Sequence, residues 1–454
     1  MRRDLGDGLV LRWSTASDIE AVVALVGAVF RGSDNEEPNV FLQDVVRRYM
    51  RGDYPFMGPD DFVVVEDTGR DGNNIVACTC YLREDWEFDG IPLAVGRPEI
   101  VATDPRYRNK GLIRSVLSAV HERCARDGTI VQGITGILYF YRQFDYEYAI
   151  DLGGRVTLPV ALLPTRGTGP VEAGSGGEGG AEPYRLRQAV RADIGFLAES
   201  YRHQQRDSLM TCCLPDAFWR YHIDAEHESS PLLGHVRVRI IETAAGESCG
   251  FLLAPYGRSG DSYGPTMVGF RAGTNLHAVA PSLVREVRSM GEQVPAKESE
   301  KPLSNVVLDL GADHPLYRML SPDWGPRHER PYAWYIRVPD LPLFVRTIAS
   351  VLERRLAASS LAGYTGEVKL DFYRGGLRFG FEHGVLQHAE HSRFRSYDNP
   401  ANGGFPPLVF LRLLFGHNSW EELRAAYPDV WVGAEIRPLI EVLFPKRASH
   451  LFAL

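Results

Sequence analysis

No run of apolar residues in the chain is long enough to span a membrane. The most apolar early stretch, residues 19–30, is too short and is interrupted by Glu20. The opening Met1-Arg2-Arg3-Asp4 has no apolar segment behind it, so no signal peptide is expected. There is no excess of positive charge either. Fifty Lys and Arg residues face 58 Asp and Glu, a net charge of −8. Such a chain lacks the basic field that releases phosphate counterions, which argues against nucleic acid as a partner. Cysteine is sparse and scattered: Cys78, Cys80, Cys124, Cys212, Cys213 and Cys249 form no paired CxxC units. Neither a zinc site nor a disulfide framework is therefore indicated, and a reducing cytoplasm fits. Cys78 and Cys80 would share one face of a strand as buried thiols. The polar group Glu382, His383, His388, Glu390 and His391 matches no metal-ligand spacing, and no metal is expected.

What is present is a chain of 454 residues, 44% hydrophobic and 24% charged. Those proportions are those of globular domains, and the length implies two to four of them. Residues 165–182 (TRGTGPVEAGSGGEGGAE) are glycine-rich and nearly devoid of large apolar side chains, as in a flexible linker. Before it, strand and helix patterns alternate. Leu9-Val10-Leu11-Arg12, Phe62-Val63-Val64-Val65, residues 75–82, residues 100–103 and residues 130–134 read as strands. A turn is expected at Asp71-Gly72-Asn73. Ile19, Val22, Val23, Val26 and Phe30 recur at helical spacing. So do Leu112, Ile113, Val116, Leu117, Val120 and Cys124. This is a mixed α/β module.

Beyond the linker, Tyr184-Arg185-Leu186-Arg187 followed by Asp193, Ile194 and Leu197 echoes the segment around Leu11 and Asp18, which suggests an internal repeat. The tail opens with a helical stretch at residues 344–356. Strands at 368–372 and 377–381 follow, joined by Arg374-Gly375-Gly376.

The segment that carries chemistry runs from Val101 to Ile113 (VATDPRYRNKGLI) and leads into the amphipathic helix. A strand, a basic loop with a glycine and a helix N-terminus make an anion site suited to a pyrophosphate. Gly111 has no side chain to obstruct the phosphate, and Arg106, Arg108 and Lys110 supply charge. This pattern, Arg108-x-x-Gly111-x-Ile113 after a strand, resembles the acetyl-CoA loop of the GCN5-related N-acetyltransferase (GNAT) superfamily. Downstream, Tyr139 to Glu147 (YFYRQFDYE) resembles the superfamily's late tyrosine segment, with Tyr141 at the position near the thioester sulfur. Ile113 and Asp145 stand where the superfamily has small residues.

A wider resemblance is to the enhanced intracellular survival family of acetyltransferases. It is carried by residues 310–317 (LGADHPLY), 331–339 (PYAWYIRVP) and 405–416 (FPPLVFLRLLFG). It implies a catalytic GNAT-like mixed-sheet domain at 1–164, the linker, a second, degenerate and inactive GNAT-like domain at 183–338, and a sterol-carrier-like α+β domain at 339–454. The region of Gly269 to Gly273 has no Arg-x-x-Gly feeding a helix, in keeping with an inactive second domain.

The same resemblance implies an acetyl-CoA-dependent transfer to a primary amine (aminoglycoside, polyamine or lysine-like) by direct attack, in a cytoplasmic hexamer. Val101, Ala102 and Thr103 would hold the thioester carbonyl, and Arg106, Arg108, Asn109, Lys110, Gly111, Leu112 and Ile113 the pyrophosphate. Tyr141 would act as the acid. In that family the terminal α-carboxylate is the base, here that of Leu454; Glu99 and His450 are alternatives. Phe30, Asp34, Glu36, Glu37 and Trp86 would begin the substrate pocket. A competing expectation is a non-catalytic protein that binds an acyl-CoA or an apolar ligand.

Overall fold

The computed structural model describes residues 1–32, 36–72, 74–164, 182–225, 236–295, 301–394 and 400–452. Most of the expected linker, Asp34, the Asn73 turn position and Leu454 lie outside the described residues. Among the described residues no helix is long and apolar enough to cross a membrane.

Strands β1 (Arg2–Gly6), β2 (Leu9–Trp13), β3 (Phe62–Asp67), β4 (Ile75–Phe88) and β5 (Ile91–Thr103) form an antiparallel series. Helices α1 (Ile19–Val29) and α2 (Val40–Arg51) cover one face, with Val22, Val26, Val46 and Met50 on Val64, Cys78 and Cys80. Helix α3 (Leu112–Arg126) covers the other, setting Val116, Val120 and Cys124 on Val63, Val65 and Ala77. A strand covered on both sides has no polar face, which is why β3 reads as an unbroken apolar run. The α3 crossover brings β6 (Val131–Ile134) alongside β5 in parallel. Strands β7 (Glu147–Leu152) and β8 (Val156–Pro159) follow.

The next region contains β9 (Tyr184–Gln188), α4 (Ile194–Gln205), β10 (Met210–Cys212), α5 (Asp216–Ala225), β11 (Val236–Thr243) and β12 (Ser248–Pro255). It continues through β13 (Ser262–Tyr263), β14 (Met267–Phe270), α6 (Leu276–Gln293), β15 (Asn305–Leu308), β16 (Arg327–His328) and β17 (Tyr332–Arg337). The suggested repeat is visible here in side-chain detail. On β2, Arg12 binds Asp18 at 2.8 Å and Glu66 at 2.7 Å, and Asp18 accepts the Thr15 N–H at 2.8 Å. On β9, Arg187 binds Asp193 at 2.7 Å and Glu242 at 2.9 Å, and Asp193 accepts the Val190 N–H at 2.8 Å. The same arginine and carboxylate clamp thus locks strand, turn and helix at both stations.

Sheet membership crosses the expected boundaries at 164 and 183. β17 is inserted into the first sheet between β6 and β7, antiparallel to both. β8 in turn leaves the first sheet and pairs with β15, in the sheet β13-β15-β8-β16. The two regions are interlocked by an exchange of strands. β10 adds to the outer end of β4, through Met210↔Phe88 and Cys212↔Trp86.

The remainder comprises α7 (Leu341–Thr347), α8 (Ala349–Ala357), the meander β18 (Gly366–Asp371), β19 (Gly376–Glu382) and β20 (Val385–Ser392), and short β21 (Gly403–Gly404), α9 (Phe410–Leu414), α10 (Trp420–Ala426), β22 (Trp431–Val432) and α11 (Arg437–Leu443). The helix expected at 344–356 is two helices that meet at Ile348, whose ψ of 13° leaves the helical range. The interior of this part is filled by rings: Phe410 lies 5.5 Å from both Phe405 and Phe444. Its core is continuous with the first sheet, since Phe88 of β4 packs edge-on against Phe344 at 5.6 Å and Phe415 at 6.1 Å.

Candidate functional site

The first sheet forks between β5 and β6. The two strands pair only at Val95↔Val131 and Gly96↔Gln132, and β5 then continues to Thr103 with β4 alone beside it. The pairing shifts at this point, with Cys80 opposite Glu99 but Cys78 opposite Ala102. The extra residue is taken up by Ile100 at a φ of 53°. A bulge of this kind bends a strand out of register. The β6-facing edge of Val101, Ala102 and Thr103 is left without a strand partner, and the buried Thr103 hydroxyl has no hydrogen-bond partner.

The basic loop lies at the open end of β5. Asp104 accepts the Arg106 N–H at 3.0 Å and binds its guanidinium at 2.6 Å, with Arg70 at 3.3 Å. These contacts, Arg106 foremost, hold the Asp104 carboxyl down to about 2. Arg106 is therefore already neutralised by its neighbour, whereas Arg108 and Lys110 are exposed, with the Lys110 ammonium 5.1 Å from the Tyr107 ring.

Asn109 and Gly111 both take left-handed φ, 63° and 76°, and curl the loop into the helix. Gly111 is the residue before α3 and offers no side-chain cap, so the first N–H groups of the helix stay open to an anion. A β-carbon at Gly111 would meet nothing within 4 Å, which marks unfilled space on that side. Leu112 and Ile113 turn their side chains into the core instead. Helix α6, in contrast, is closed: Asn275 accepts the Ala278 N–H at 3.2 Å and caps it.

Tyr141 sits in the one-turn helix Phe140–Phe144 and is 3% exposed. Its ring packs edge-on against Phe140 at 5.1 Å and Tyr335 at 5.4 Å. Burial, reinforced by the nearby Glu99 carboxylate, pushes its hydroxyl pKa up, so the phenol keeps its proton. Asp145 ends the turn at a φ of 67°, a conformation aspartate tolerates better than most residues.

Glu99 lies on β5 at the fork. It accepts the Thr135 N–H at 3.2 Å and an Arg97 guanidinium hydrogen bond at 2.9 Å, and burial raises its pKa. Arg97 in turn binds Glu84 at 2.5 Å, and Glu84 accepts the Trp86 indole N–H at 2.8 Å. The triad, with Arg97 and Glu84 buried and Glu99 partly exposed, holds two carboxylates for one guanidinium. Arg97, Glu84 and Thr135 were not anticipated from the sequence. The signal available was the alternation of charge along Arg83-Glu84-Asp85 and Arg97-Pro98-Glu99, too acidic and basic for the ordinary face of a covered strand.

The strand edge, the loop, the α3 terminus, Glu99 and Tyr141 thus all belong to the forked region. The remaining expected residues lie elsewhere. Trp86 is 0% exposed, edge-on to Trp334 at 5.7 Å, beneath Glu84 rather than on a surface. Phe30 is 37% exposed at the end of α1, and Glu36 and Glu37 are exposed beyond it. His450 is half-buried, with its ring nitrogens 3.0 Å from the Leu310 carbonyl and 3.0 Å from the Gln205 amide. Both nitrogens are occupied and burial lowers its pKa, so it ties the tail to the second region rather than offering a base.

The tail runs along β10, the Leu209 N–H donating to Ala448 at 2.8 Å and the His450 N–H to Met210 at 2.9 Å. Phe452 packs on Phe218 at 5.6 Å and lines a small recess with Tyr54, Glu84 and Cys212. In the last part of the chain His388 lies 3.4 Å from Glu367, and Glu390 3.2 Å from Arg378. Among the described residues no group of side chains is arranged to hold a metal ion.

Residues 11–149 match the acetyltransferase (GNAT) domain family, so this segment is a GNAT domain. No curated protein matches the chain. Solved structures resemble it over nearly its whole length, three of them as follows. A probable N-acyltransferase from Enterococcus faecalis V583 is 13% identical, with a TM-score of 0.68 and 100% of each chain covered. A GCN5-related N-acetyltransferase from Anabaena variabilis is 11% identical, with a TM-score of 0.64, covering 98% of this chain and 99% of its own. Eis1 from Mycobacterium abscessus is 12% identical, with a TM-score of 0.58 and 98% and 99% covered. At such identities the likeness is one of fold alone: a mixed α/β architecture shared over the whole chain, GNAT-like in the matched segment.

Proposed function

We propose that the protein is an acetyl-CoA-dependent N-acetyltransferase that moves an acetyl group onto a primary amine of aminoglycoside, polyamine or lysine-like type. The observation that carries this reading is the meeting of an uncapped helix N-terminus, an unpaired strand edge and a buried, protonated tyrosine in one forked region. Acetyl-CoA supplies an activated acetyl group as a thioester. The residues fit it: the open N–H groups of Leu112 and Ile113, with Gly111, Asn109, Arg108 and Lys110, would bind the pyrophosphate. Arg106 shapes that loop through Asp104. Backbone groups of Val101, Ala102 and Thr103 would hold and polarise the carbonyl.

The attacking amine must be neutral, and a carboxylate is the natural acceptor of its proton. Phe452 shares a recess with Glu84, whose triad ends at Glu99, and the proximity of residue 452 to that triad supports the α-carboxylate of Leu454 in this role. Tyr141 would deliver a proton to the departing sulfur. A phenol, with a pKa of about 10, is a weaker acid than a thiol at about 8.5, so this transfer depends on a fixed contact. By the same reading the first region is catalytic, the second is an inactive duplicate whose helix is capped by Asn275, and the last is sterol-carrier-like scaffold. The assembly is a cytoplasmic hexamer as in the enhanced intracellular survival family, and Phe30, Glu36 and Trp86 border or underlie the amine pocket.

The test is a thiol-release screen of acetyl-CoA against aminoglycosides, polyamines, arylamines and lysine peptides. Release with at least one class is expected. Acetyl-CoA binding with no release for any amine would mark a binding protein instead. Extending the chain beyond Leu454 should impair turnover, and a fully active extended protein would remove the terminal carboxylate from the mechanism.

A further inference from the structure

The segment that leads from β6 to Tyr141 has an unusual backbone. Gly136 adopts a φ of 134° and Tyr139 a φ of 63°, and a β-carbon at Gly136 would lie 3.6 Å from the Tyr141 hydroxyl. A non-glycine residue at positive φ is costly and persists only where its surroundings hold it. Here three tyrosine hydroxyls do so. Tyr332 donates to the Gly136 carbonyl at 3.3 Å, and Tyr335 to the Ile137 carbonyl at 2.9 Å. Tyr148 accepts the Tyr139 N–H at 2.6 Å. The hydroxyls are also linked to one another, Tyr148 lying 2.6 Å from Tyr335 and 3.0 Å from Tyr332.

Two of the three come from β17, the strand inserted into the first sheet from far along the chain. The Tyr335 ring is also one of the rings on which Tyr141 rests. Ile137, Leu138 and Tyr139 are 64%, 74% and 67% exposed, and besides the clamp they are held by the Phe140 N–H donating to the Ile137 carbonyl at 3.3 Å and by the Arg142 guanidinium 5.1 Å from the Tyr139 ring.

We infer that Tyr335 and Tyr332, supplied by β17, are positioning residues for the candidate acid Tyr141, so that the forked site is complete only when the later strand is in place. This rests on the acetyltransferase reading above. In it, proton delivery to sulfur is the step most sensitive to the placement of one hydroxyl, because the transfer is uphill. Loosening the clamp should therefore act on turnover and leave binding of the acetyl donor, at the α3 terminus, alone.

The experiment uses the full chain. In Tyr335→Phe the ring that supports Tyr141 is kept and only the hydroxyl is lost. With the best amine from the screen, kcat should fall about tenfold, the effect of one well-placed hydrogen bond. KM for acetyl-CoA should stay within about twofold, and Tyr332→Phe should fall in the same direction. Tyr335→Phe in the Tyr141→Phe background should add little, because the residue it positions is already disabled. If Tyr335→Phe melts early, Tyr332→Phe, nearer the surface, carries the same comparison. A wild-type kcat in both folded variants, or equal losses in kcat and in acetyl-CoA binding, overturns the inference. A wild-type protein that releases no thiol with any amine overturns the acetyltransferase reading first, so the two failures are told apart.

Discussion

Tyr141 is held by rings on two sides and by a backbone that a three-hydroxyl clamp constrains, so its hydroxyl has little freedom to wander. Replacing it with phenylalanine keeps those ring contacts and removes only the proton. Turnover should drop by about two orders of magnitude, as for loss of a general acid, with acetyl-CoA affinity nearly unchanged. Steady-state kinetics beside a direct binding titration checks both halves. Glu99 calls for a different expectation. It is one of two carboxylates on a single buried guanidinium, and an uncompensated buried charge is relieved by a cation. In Glu99→Gln the KM for the amine should rise about tenfold while kcat changes less, since one charge contact is worth roughly 1.4 kcal/mol here. A hundredfold loss in kcat would instead identify Glu99 as the base. Tyr141 was legible because its neighbours spell a recognisable segment. The triad was not, because its members are joined across strands, and strand pairing is not written in local periodicity.

At the level of elements, α3 and α6 form a natural experiment. Both follow a strand, yet one begins at an uncapped glycine and the other at a capping asparagine. Asn275→Ala should cost about 1 kcal/mol of stability in denaturant unfolding, the usual worth of a cap, and leave acetyl-CoA binding unchanged. Gly111→Val should instead weaken acetyl-CoA at least tenfold, because a branched residue at a φ of 76° distorts the loop that presents the N–H groups. Isothermal titration of both variants separates the two effects.

The α3 stripe and the apolar β3 run were readable, since a covered helix face and a doubly covered strand each leave a periodic signature. Helix α2 was overlooked although Val45, Val46, Tyr49 and Met50 are buried along one of its faces. The hinge at Ile348 leaves the apolar spacing on either side intact, so residues 344–356 read as one helix. The exchange of β8 and β17 was invisible for a deeper reason. Each strand is a good strand, and nothing in its own residues says which sheet it will complete.

For the whole molecule, acid is a specific hazard. His314 is buried and His121 half-buried, and desolvation lowers both to about 3 from an ordinary value of 6.5, so both are neutral. The unfolded chain takes up protons at these positions as pH drops through 6.5, while the folded chain refuses them until about 3. The stability they contribute is present above pH 6.5 and is lost progressively below it. Thermal melts between pH 7.5 and 5 should show that decline, and it should flatten in His121→Gln and His314→Gln. Phe88 tests the continuity of the core between the first sheet and the last part of the chain. Phe88→Ala should cost about 3–5 kcal/mol, and it should destabilise both parts in one transition rather than release one of them.

The inserted strand also sets a timetable for synthesis. β6 leaves the ribosome early, but the neighbour that will occupy its free side is not made until residue 337. At about 5–20 residues per second, the intervening 200 or so residues take roughly 10–40 seconds to make. Throughout that interval β6 presents an unpaired backbone edge of the kind other strands adhere to. The nascent chain should need a holding chaperone over that window, and the yield of native protein should depend on translation speed downstream of residue 134 far more than upstream of it.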